Sequence, residues 1–598
     1  VTEHYVIGLV FIVVFGIGAQ WLAWRLHLPS ILLLLLVGLL GGPITGFLKP
    51  DELFGEVLVP FVSVAVAVIL FEGGLSLRLR ELRQVGGLVR NLITIGVLVT
   101  WGLGALAAHL VFGMGAAPAL LLGAILVVTG PTVIIPLLRQ VRPAGRVGSA
   151  IKWEGIVNDP VGAILAVLTF EVILLGGAQS GASVVLVGVT KAILVGGGMG
   201  LVGAAVMVLL LKKYLIPDFL HSPVALMMVI LGYAAANALQ TESGLLAVTV
   251  MGIALASQRY VSIKQILEFK ENLRVILISV LFIILAARLP AGDGILTGAA
   301  GWVFVLVLIL IVRPAAVLAA TFRTALKRSE RFFLAWMAPR GIVAAAVSSV
   351  FALRLAERDI AGYEALVPVT FQVIIGTVAV YGVSASFVAR RLKVARPNPQ
   401  GILIVGAHLW ARAIAETLQR EGLQVVLVDS NWSNVSAARS TGLAATYGNI
   451  LSEDLAYDLP LDGIGRLIAV TPNDEVNSLA ALHFLDVFGS SEVYQLPPAV
   501  AAGKSKQQRV SPDLRGRYLF SRDATFQNLN SRFRSGTVVK RNTITEEFNI
   551  DQLRSRYGQT ALPLFVITES GGLRVSTADS PLSARPGQVL ISLVEERE

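Results

Sequence analysis

The chain has no cysteine in 598 residues. That excludes disulfides, thiolate metal sites and thiol nucleophiles. Charge is scarce too: Asp, Glu, Lys and Arg make up 15% of the chain and hydrophobic residues 55%. Soluble globular domains carry about a quarter of their residues as charges. A mean hydropathy of +0.74 therefore indicates a polytopic membrane protein with a soluble part attached, because the hydropathy is uneven along the chain. The net charge of +10 invites nucleic acid. Its distribution argues otherwise, since Lys and Arg cluster between apolar runs, as the positive-inside rule expects.

The charges that do lie inside apolar runs are the informative ones. Ile151–Ala166 reads IKWEGIVNDPVGAILA, and the apolar run continues to Leu175. A charge near mid-membrane costs roughly 2.5–3.5 kcal/mol on insertion scales, so Glu154 and Asp159 in one span need a reason. On a helix Glu154 and Asn158 share a face, and Asp159 points about 100° further round. Pro160 has no N–H, which frees the carbonyl of Ile156. Such a cluster is either a structural ion pair or an ion or proton site. Few other charges lie at depth. Glu72 sits in FEGGL at 71–75, Arg313 precedes Pro314, and Arg340 follows Pro339. Either arginine could pair with Glu154.

At roughly 20 apolar residues per crossing, the sequence holds about 13 spans. They lie near 4–24, 30–48, 56–76, 87–112, 117–138, 148–175, 182–211, 220–239, 244–257, 270–289, 298–322, 330–353 and 364–389. The first is long enough to read as a span rather than a cleaved leader. One set of loops carries most of the positive charge, from Arg25 through Arg78, Arg80, Arg83, Arg139, Arg142 and Arg146 to Arg390, Arg391 and Lys393. The alternate set has Lys49, Arg288, Arg354, Arg358 and little else. The first set is expected inside, which puts the N-terminus outside and everything after residue 393 in the cytoplasm.

Proline marks two further breaks. Thr129-Gly130-Pro131-Thr132 interrupts the fifth span, and Pro131 frees the carbonyl of Val127,. Ala338-Pro339-Arg340-Gly341 interrupts the twelfth. If spans 1–6 and 8–13 are inverted repeats, both breaks fall at the fifth place, the sequence pointer to a transporter site. Thr377–Gly382, TVAVYG, is similar to a potassium-channel filter. It has one residue too many, lies within the last span, and lacks the outer re-entrant loop.

After the proline-rich joint Arg396–Gln400 the pattern changes. Gly401–Val405 is a short strand, Gly406-Ala407-His408 follows, then a helix, and Gln424–Val428 is a second strand ending at Asp429. An acid about twenty residues beyond a glycine turn is the dinucleotide-domain arrangement, although only the first of three fingerprint glycines is present. Ala444–Tyr447 and Leu467–Val470 continue the alternation, followed by Gly448-Asn449 and Thr471-Pro472-Asn473-Asp474-Glu475. Loops at the carboxyl edge of such a sheet bind ligands. This makes Gly406, His408, Asp429, Asn449 and Thr471 candidate nucleotide contacts. Residues 503–541 are basic with interspersed Phe520, Phe526 and Phe533, and are read as a linker and partner surface rather than a nucleic-acid site. Ala561–Thr568, Gly572–Ser576 and Val589–Leu593 are strands of a small terminal domain, with a hairpin turn at Gly571-Gly572.

FEGGLSL at 71–77, TGPTVI at 129–134, EGIVNDP at 154–160 and PRGIVAAAV at 339–347 together resemble the NhaP-type sodium/proton exchangers of the monovalent cation:proton antiporter superfamily. VGAHLWA at 405–411, Asp429 and TPNDEVN at 471–477 resemble the RCK (TrkA-N) regulatory domain of potassium systems. The domain reading is then a membrane exchanger over 1–395, an RCK-like Rossmann domain over 400–500, a basic linker over 501–545 and a small β-rich subdomain over 546–598. The resemblance implies a dimer of 13-helix subunits with crossed discontinuous helices, joined through its scaffold and RCK-like domains and moving by an elevator-like cycle. Its setting would be a bacterial inner membrane. Asp159 would hold H+ or a cation in turn. Asn158 before it looks like the Asn-Asp pair of electroneutral members. Thr129 would offer oxygen at the crossover, Glu72 would lie near the cytoplasmic approach, and Glu154 would pair with Arg313.

Two departures bear on the ion. Sodium-transporting relatives usually have Asp where this chain has Gly130, and often Ser where it has Gly155. With two oxygens fewer for a hard cation, K+ becomes as reasonable a substrate as Na+. The regulatory ligand would be AMP, ADP, ATP or NAD(H). Two rival readings stand beside the antiporter: an RCK-gated potassium channel, and a nucleotide-dependent membrane oxidoreductase. The antiporter reading makes the chain a transporter and not an enzyme.

Overall fold

The computed structural model describes the chain except residues 1, 27, 142, 144–145, 175–177, 290–297, 357–363, 396–398, 453–454, 456–458, 460, 462, 500–514, 548–549, 559, 581 and 596–598. Arg142, Arg358, the start of the proline-rich joint and the first part of the basic stretch thus lie outside the described residues. Two compact units make up the chain, Val1–Pro397 and Asn398–Glu598.

The first unit is helical, as lipid requires of a backbone that must satisfy itself. It opens with α1 (Thr2–Leu26) and α2 (Ser30–Leu39), then a short α3 (Pro50–Phe54) and α4 (Leu58–Leu75). α5 (Leu79–Asn91) runs into α6 (Val97–Phe112) through a π-helical turn. α7 (Ala116–Ile125), α8 (Pro131–Val141), α9 (Arg146–Leu174) and α10 (Ala178–Lys212) follow. Next come α11 (His221–Leu239), α12 (Ser243–Ser257) and α13 (Lys264–Ala287). α14 (Ala299–Val307) and α15 (Arg313–Thr321) are likewise joined by a π-helical turn, and α16 (Arg328–Trp336), α17 (Ile342–Ala356) and α18 (Leu366–Arg391) close the unit.

Among the described residues, 8 helical stretches are long and apolar enough to cross a membrane, and shorter apolar helices lie at 30–44, 116–125, 243–257 and 342–352. α13 falls outside both sets because Lys264, Glu268, Lys270, Glu271 and Arg274 crowd its first half. Both proline-marked breaks are present. The fifth apolar stretch splits between α7 and α8 at 126–130, and the twelfth between α16 and α17 at 337–341. The two breaks touch, for a Cβ built on Gly130 would stand 2.5 Å from the Gly341 Cα. Only two residues without side chains can meet this closely. Pro160, by contrast, leaves α9 continuous through its 29 residues. Thr377–Gly382 lies inside the unbroken α18, so nothing like a filter loop forms there.

The second unit begins with β1 (Gly401–Val405), α19 (Leu409–Arg420), β2 (Val425–Asp429), α20 (Trp432–Ser440), β3 (Ala444–Tyr447) and β4 (Ile464–Ala469). α21 (Asp474–Phe488), β5 (Val493–Gln495) and β6 (Arg517–Tyr518) complete a parallel sheet of order β3-β2-β1-β4-β5-β6. All five residues of β1 are buried, as a strand covered on both faces should be,. α22 (Phe526–Arg534), β7 (Thr537–Thr543), α23 (Ile550–Tyr557), β8 (Leu562–Ile567), β9 (Leu573–Val575) and β10 (Val589–Glu595) follow, and their strands form an antiparallel sheet of order β7-β10-β8-β9. The 501–545 stretch expected to be a linker is therefore folded where it is described. β6 extends the parallel sheet, and β7 pairs with β10 along seven residues. Its basic side chains lie on partly exposed faces of edge strands, which hides the strand pattern from composition,.

Candidate functional site

Gly155, Asp159 and Gly162 are spaced four and three apart, so they lie on one face of α9. That face rests on the first break. A Cβ on Gly162 would come within 2.6 Å of the Val128 side chain and 2.9 Å of its backbone nitrogen, and one on Gly155 would strike Ile134 of α8. Asp159, between the two glycines, is aimed at the segment that carries Thr129. Its side chain is fully buried, at 0% exposure.

The cluster is defined by what it leaves unpaired. Both Asp159 oxygens, Asn158 Oδ1, Thr129 Oγ1 and Thr132 Oγ1 are buried without a hydrogen-bond partner. Each such group costs about 1–3 kcal/mol. All five are oxygens, carried by the first break and by the α9 residues beside it, and oxygen is the donor type that a proton or a hard cation takes,. Thr132 was not singled out by the sequence, although it stands in the TGPT motif that was. Gly130 contributes no side-chain ligand, and its closeness to Gly341 leaves no room for one.

Two buried arginines accompany the cluster. Arg313, 6% exposed, binds Glu154 through its two terminal guanidinium nitrogens, with Nη2 donating to Oε2 at 2.9 Å. Its Nε also donates to the Leu334 carbonyl of α16 at 3.1 Å, so one side chain ties α9, α15 and α16 together. Arg340 does not share Glu154, as one sequence reading allowed. Its Nη1 donates to the Val127 carbonyl at 3.4 Å, the group that Pro131 frees. The Arg340 backbone N–H donates to Thr377 Oγ1 at 3.2 Å. Tyr381, 1% exposed, lies within electrostatic reach of both guanidiniums. Thr377 and Tyr381 belong to the stretch that looked like a filter, and instead they support the second break.

Glu72 is engaged elsewhere. Arg274 donates to it at 3.0 Å and Lys270 stands 3.7 Å away, both on α13, so it is not among the unpartnered oxygens. Lys152 and Trp153 anchor the start of α9 to Glu81 of α5 at 2.9 and 3.2 Å.

In the second unit the strand order reverses between β1 and β4, the place where such sheets open a ligand crevice. Gly406 turns the chain there with φ +112°, a conformation that suits glycine,. His408 Nε2 lies 2.7 Å from the Val470 carbonyl and so bridges the two sides of the crevice. A carbonyl only accepts, so Nε2 carries the proton and Nδ1 is left as a buried, unpartnered acceptor,. Trp410 and Phe526 pack on the ring with centroids at 4.3 and 5.0 Å. Burial pushes the His408 pKa below the usual imidazole value; the Val470 bond and Asp429 oppose the shift, and Arg412 adds to it.

The other candidate contacts lie on the same edge but are already bonded. Asp429 accepts from Ala407 N at 2.8 Å, Asn431 N at 2.8 Å and Asn434 Nδ2 at 2.9 Å. Asn449 Oδ1 accepts from Leu451 N at 3.0 Å, and Thr471 Oγ1 donates to Asn477 Oδ1 at 2.8 Å.

Comparison with known proteins agrees with this division. The model for the sodium/hydrogen exchanger transmembrane family matches residues 9–391, and the TrkA-N domain model matches residues 402–496. The K(+)/H(+) antiporter NhaP2 of Shewanella oneidensis is 26% identical over 486 residues, covering 77% of this chain and 83% of its own. The K(+)/H(+) antiporter NhaP of Alkalimonas amylolytica is 29% identical over 405 residues, covering 66% of this chain and 68% of its own. In structure, the sodium proton antiporter MjNhaP1 of Methanocaldococcus jannaschii at pH 8 aligns with 65% of this chain and 99% of its own. The TM-score is 0.55 at 22% identity, a likeness of fold.

Proposed function

The chain belongs to the sodium/hydrogen exchanger family, and on that footing we propose that it exchanges a monovalent cation, K+ or Na+, for a proton across the membrane with Asp159 as the alternating carrier. The observation that supports this reading most directly is the cluster of five buried, unpartnered oxygens around Asp159. A buried carboxylate without a hydrogen-bond donor is costly in its bare form, so it favours a bound proton or a bound cation. Either one cancels its charge, and a neutral site crosses the low-dielectric barrier at less cost. With one carboxylate in the cluster, one proton leaves for each cation that enters, and the exchange is electroneutral. The touching breaks support a moving body in which α7, α8, α16 and α17 travel together with α9, which carries Asp159, and with α15, whose Arg313 is tied to it,.

The Arg313–Glu154 pair and the Arg340–Val127 contact hold that body's parts in register. The first contact neutralises Arg313, whereas Arg340 bonds the neutral Val127 carbonyl and keeps its charge within electrostatic reach of Asp159. The loop charges support a cytoplasmic second unit and an outward N-terminus in a bacterial inner membrane. A homodimer is the assembly in which the second unit would act on the first.

The second unit regulates exchange by binding a ligand better in one transport state than the other. An adenine nucleotide, AMP, ADP, ATP or NAD(H), would enter between β1 and β4 only once His408 leaves the Val470 carbonyl. A transport rate that stays flat across saturating AMP, ADP, ATP and NADH would remove nucleotides from this role.

The central test is dissipation of a pH gradient in proteoliposomes when K+, Na+ or Li+ is added. The wild type should respond to at least one cation. Asp159→Asn should respond to none while melting no lower than wild type, because the substitution removes a buried charge. Exchange that survives in Asp159→Asn would reject the mechanism.

A further inference from the structure

Thr132 lies one residue inside α8 and is 3% exposed. A buried threonine in a helix commonly donates its hydroxyl to the carbonyl three or four residues back, as Thr169 does to Leu165 at 2.7 Å and Thr249 to Leu245 at 2.7 Å,. Thr132 makes no such bond. Three and four residues back lie Thr129 and Val128, in the non-helical break, where no helical carbonyl is presented. The hydroxyl instead stands 3.0 Å from the point where a Cβ on Gly130 would be, at the crossing where Gly130 meets Gly341 of the second break. Its nearest kin in this state are the other unpartnered oxygens, Thr129 Oγ1, Asn158 Oδ1 and the Asp159 carboxylate.

We infer that the Thr132 hydroxyl is a direct ligand of the transported cation and biases the site toward a large, weakly hydrated one such as K+. A hydroxyl brings lone pairs without charge. The shell is then one carboxylate with neutral oxygens from two threonines and an amide, and its field is weak. A weak field repays the dehydration of K+ more fully than that of Na+, which holds its water tighter. When a proton occupies Asp159 instead, the same hydroxyl can accept from the protonated carboxyl. This inference rests on the reading of Asp159 as carrier.

The test compares Thr132→Val, which keeps the shape and removes the oxygen, with Thr132→Ser, which keeps the oxygen and removes the methyl. The full-length protein is reconstituted in proteoliposomes, and pH-gradient dissipation is measured against K+ and Na+ concentration. Thr132→Val should raise the apparent KM for K+ by about tenfold, change that for Na+ less, and so lower the K+/Na+ preference. It should also melt at or above the wild-type temperature, since an unsatisfied buried hydroxyl has gone. Thr132→Ser should keep the wild-type KM and preference. An unchanged KM for K+ in Thr132→Val overturns the inference. So does a Thr132→Ser variant as impaired as Thr132→Val, which would make the methyl the feature that matters. Asp159→Asn, run alongside, separates the two levels. Residual exchange in that variant removes the carrier reading itself, whereas an inert Asp159→Asn beside a normal Thr132→Val removes only the role of Thr132.

Discussion

At the scale of single residues, two titratable groups, Glu154 and His408, carry separate predictions. Glu154→Gln leaves Arg313 buried with half its partners, and losing one member of such a pair costs about 3–5 kcal/mol. The variant should melt several degrees lower, and a wild-type melting temperature would show that the pair does not hold α9 to α15. His408 acts through pH. Its folded pKa lies below the ordinary imidazole value of about 6.5, chiefly because burial disfavours the charged ring. The neutral ring therefore contributes stability that is fully present above about pH 6.5 and is lost as pH falls through the folded value. Melting curves of the full chain should show the second unit weakening on acidification, and His408→Gln should flatten that dependence. An identical pH profile in the variant would assign the weakening to other groups. That Glu154 pairs with a buried arginine was legible because charges in apolar spans must find each other, but the residues left Arg313 and Arg340 open and only the family resemblance chose Arg313. The partner of Arg340 was legible only by half: Pro131 announced a free carbonyl at Val127, but no sequence pattern says which donor reaches it. Thr132 was illegible, since a threonine in an apolar run is ordinary until its missing bond is seen.

At the scale of elements, the crossing of the two breaks carries the sharpest expectation. A methyl at position 130 would stand 2.5 Å from the Gly341 Cα and 3.0 Å from Thr132 Oγ1. Backbone cannot give way as a flexible side chain can, and overpacking of this kind costs about 1–3 kcal/mol. Gly130→Ala should therefore melt lower and exchange at least tenfold more slowly. Wild-type exchange in that variant would mean that the breaks separate during the cycle. Proline was a good guide to these breaks because Pro131 follows Gly130 directly and Pro339 stands two residues before Gly341. It was a poor guide at Pro160, where the helix continues and a single carbonyl is left over. The TVAVYG stretch shows the reverse error to avoid, since its Thr377 and Tyr381 serve a helix that packs on a break. The strands of the basic stretch were missed for a simpler reason, namely that side chains facing solvent carry no apolar alternation to read.

At the scale of the whole molecule, the two compact units predict separable functions. A chain ending at Pro397 should still dissipate a pH gradient in proteoliposomes on addition of the cation, and should lose any response to nucleotide. Failure to exchange despite normal folding would make the second unit part of the transport machinery rather than its governor. This division was the most legible feature of all, because a change from apolar runs to alternating strands and helices needs no side-chain detail. The meeting of Gly130 with Gly341 has one more consequence, and it concerns inheritance. A lesion at a tight contact is usually repaired by trimming the opposing residue. Here the opposing residue is already glycine, so a chain that acquires a side chain at either position has no reciprocal revertant. Suppressors of Gly130→Ala should therefore fall in the helices that set the spacing of the crossing, and a selection for restored growth would map them.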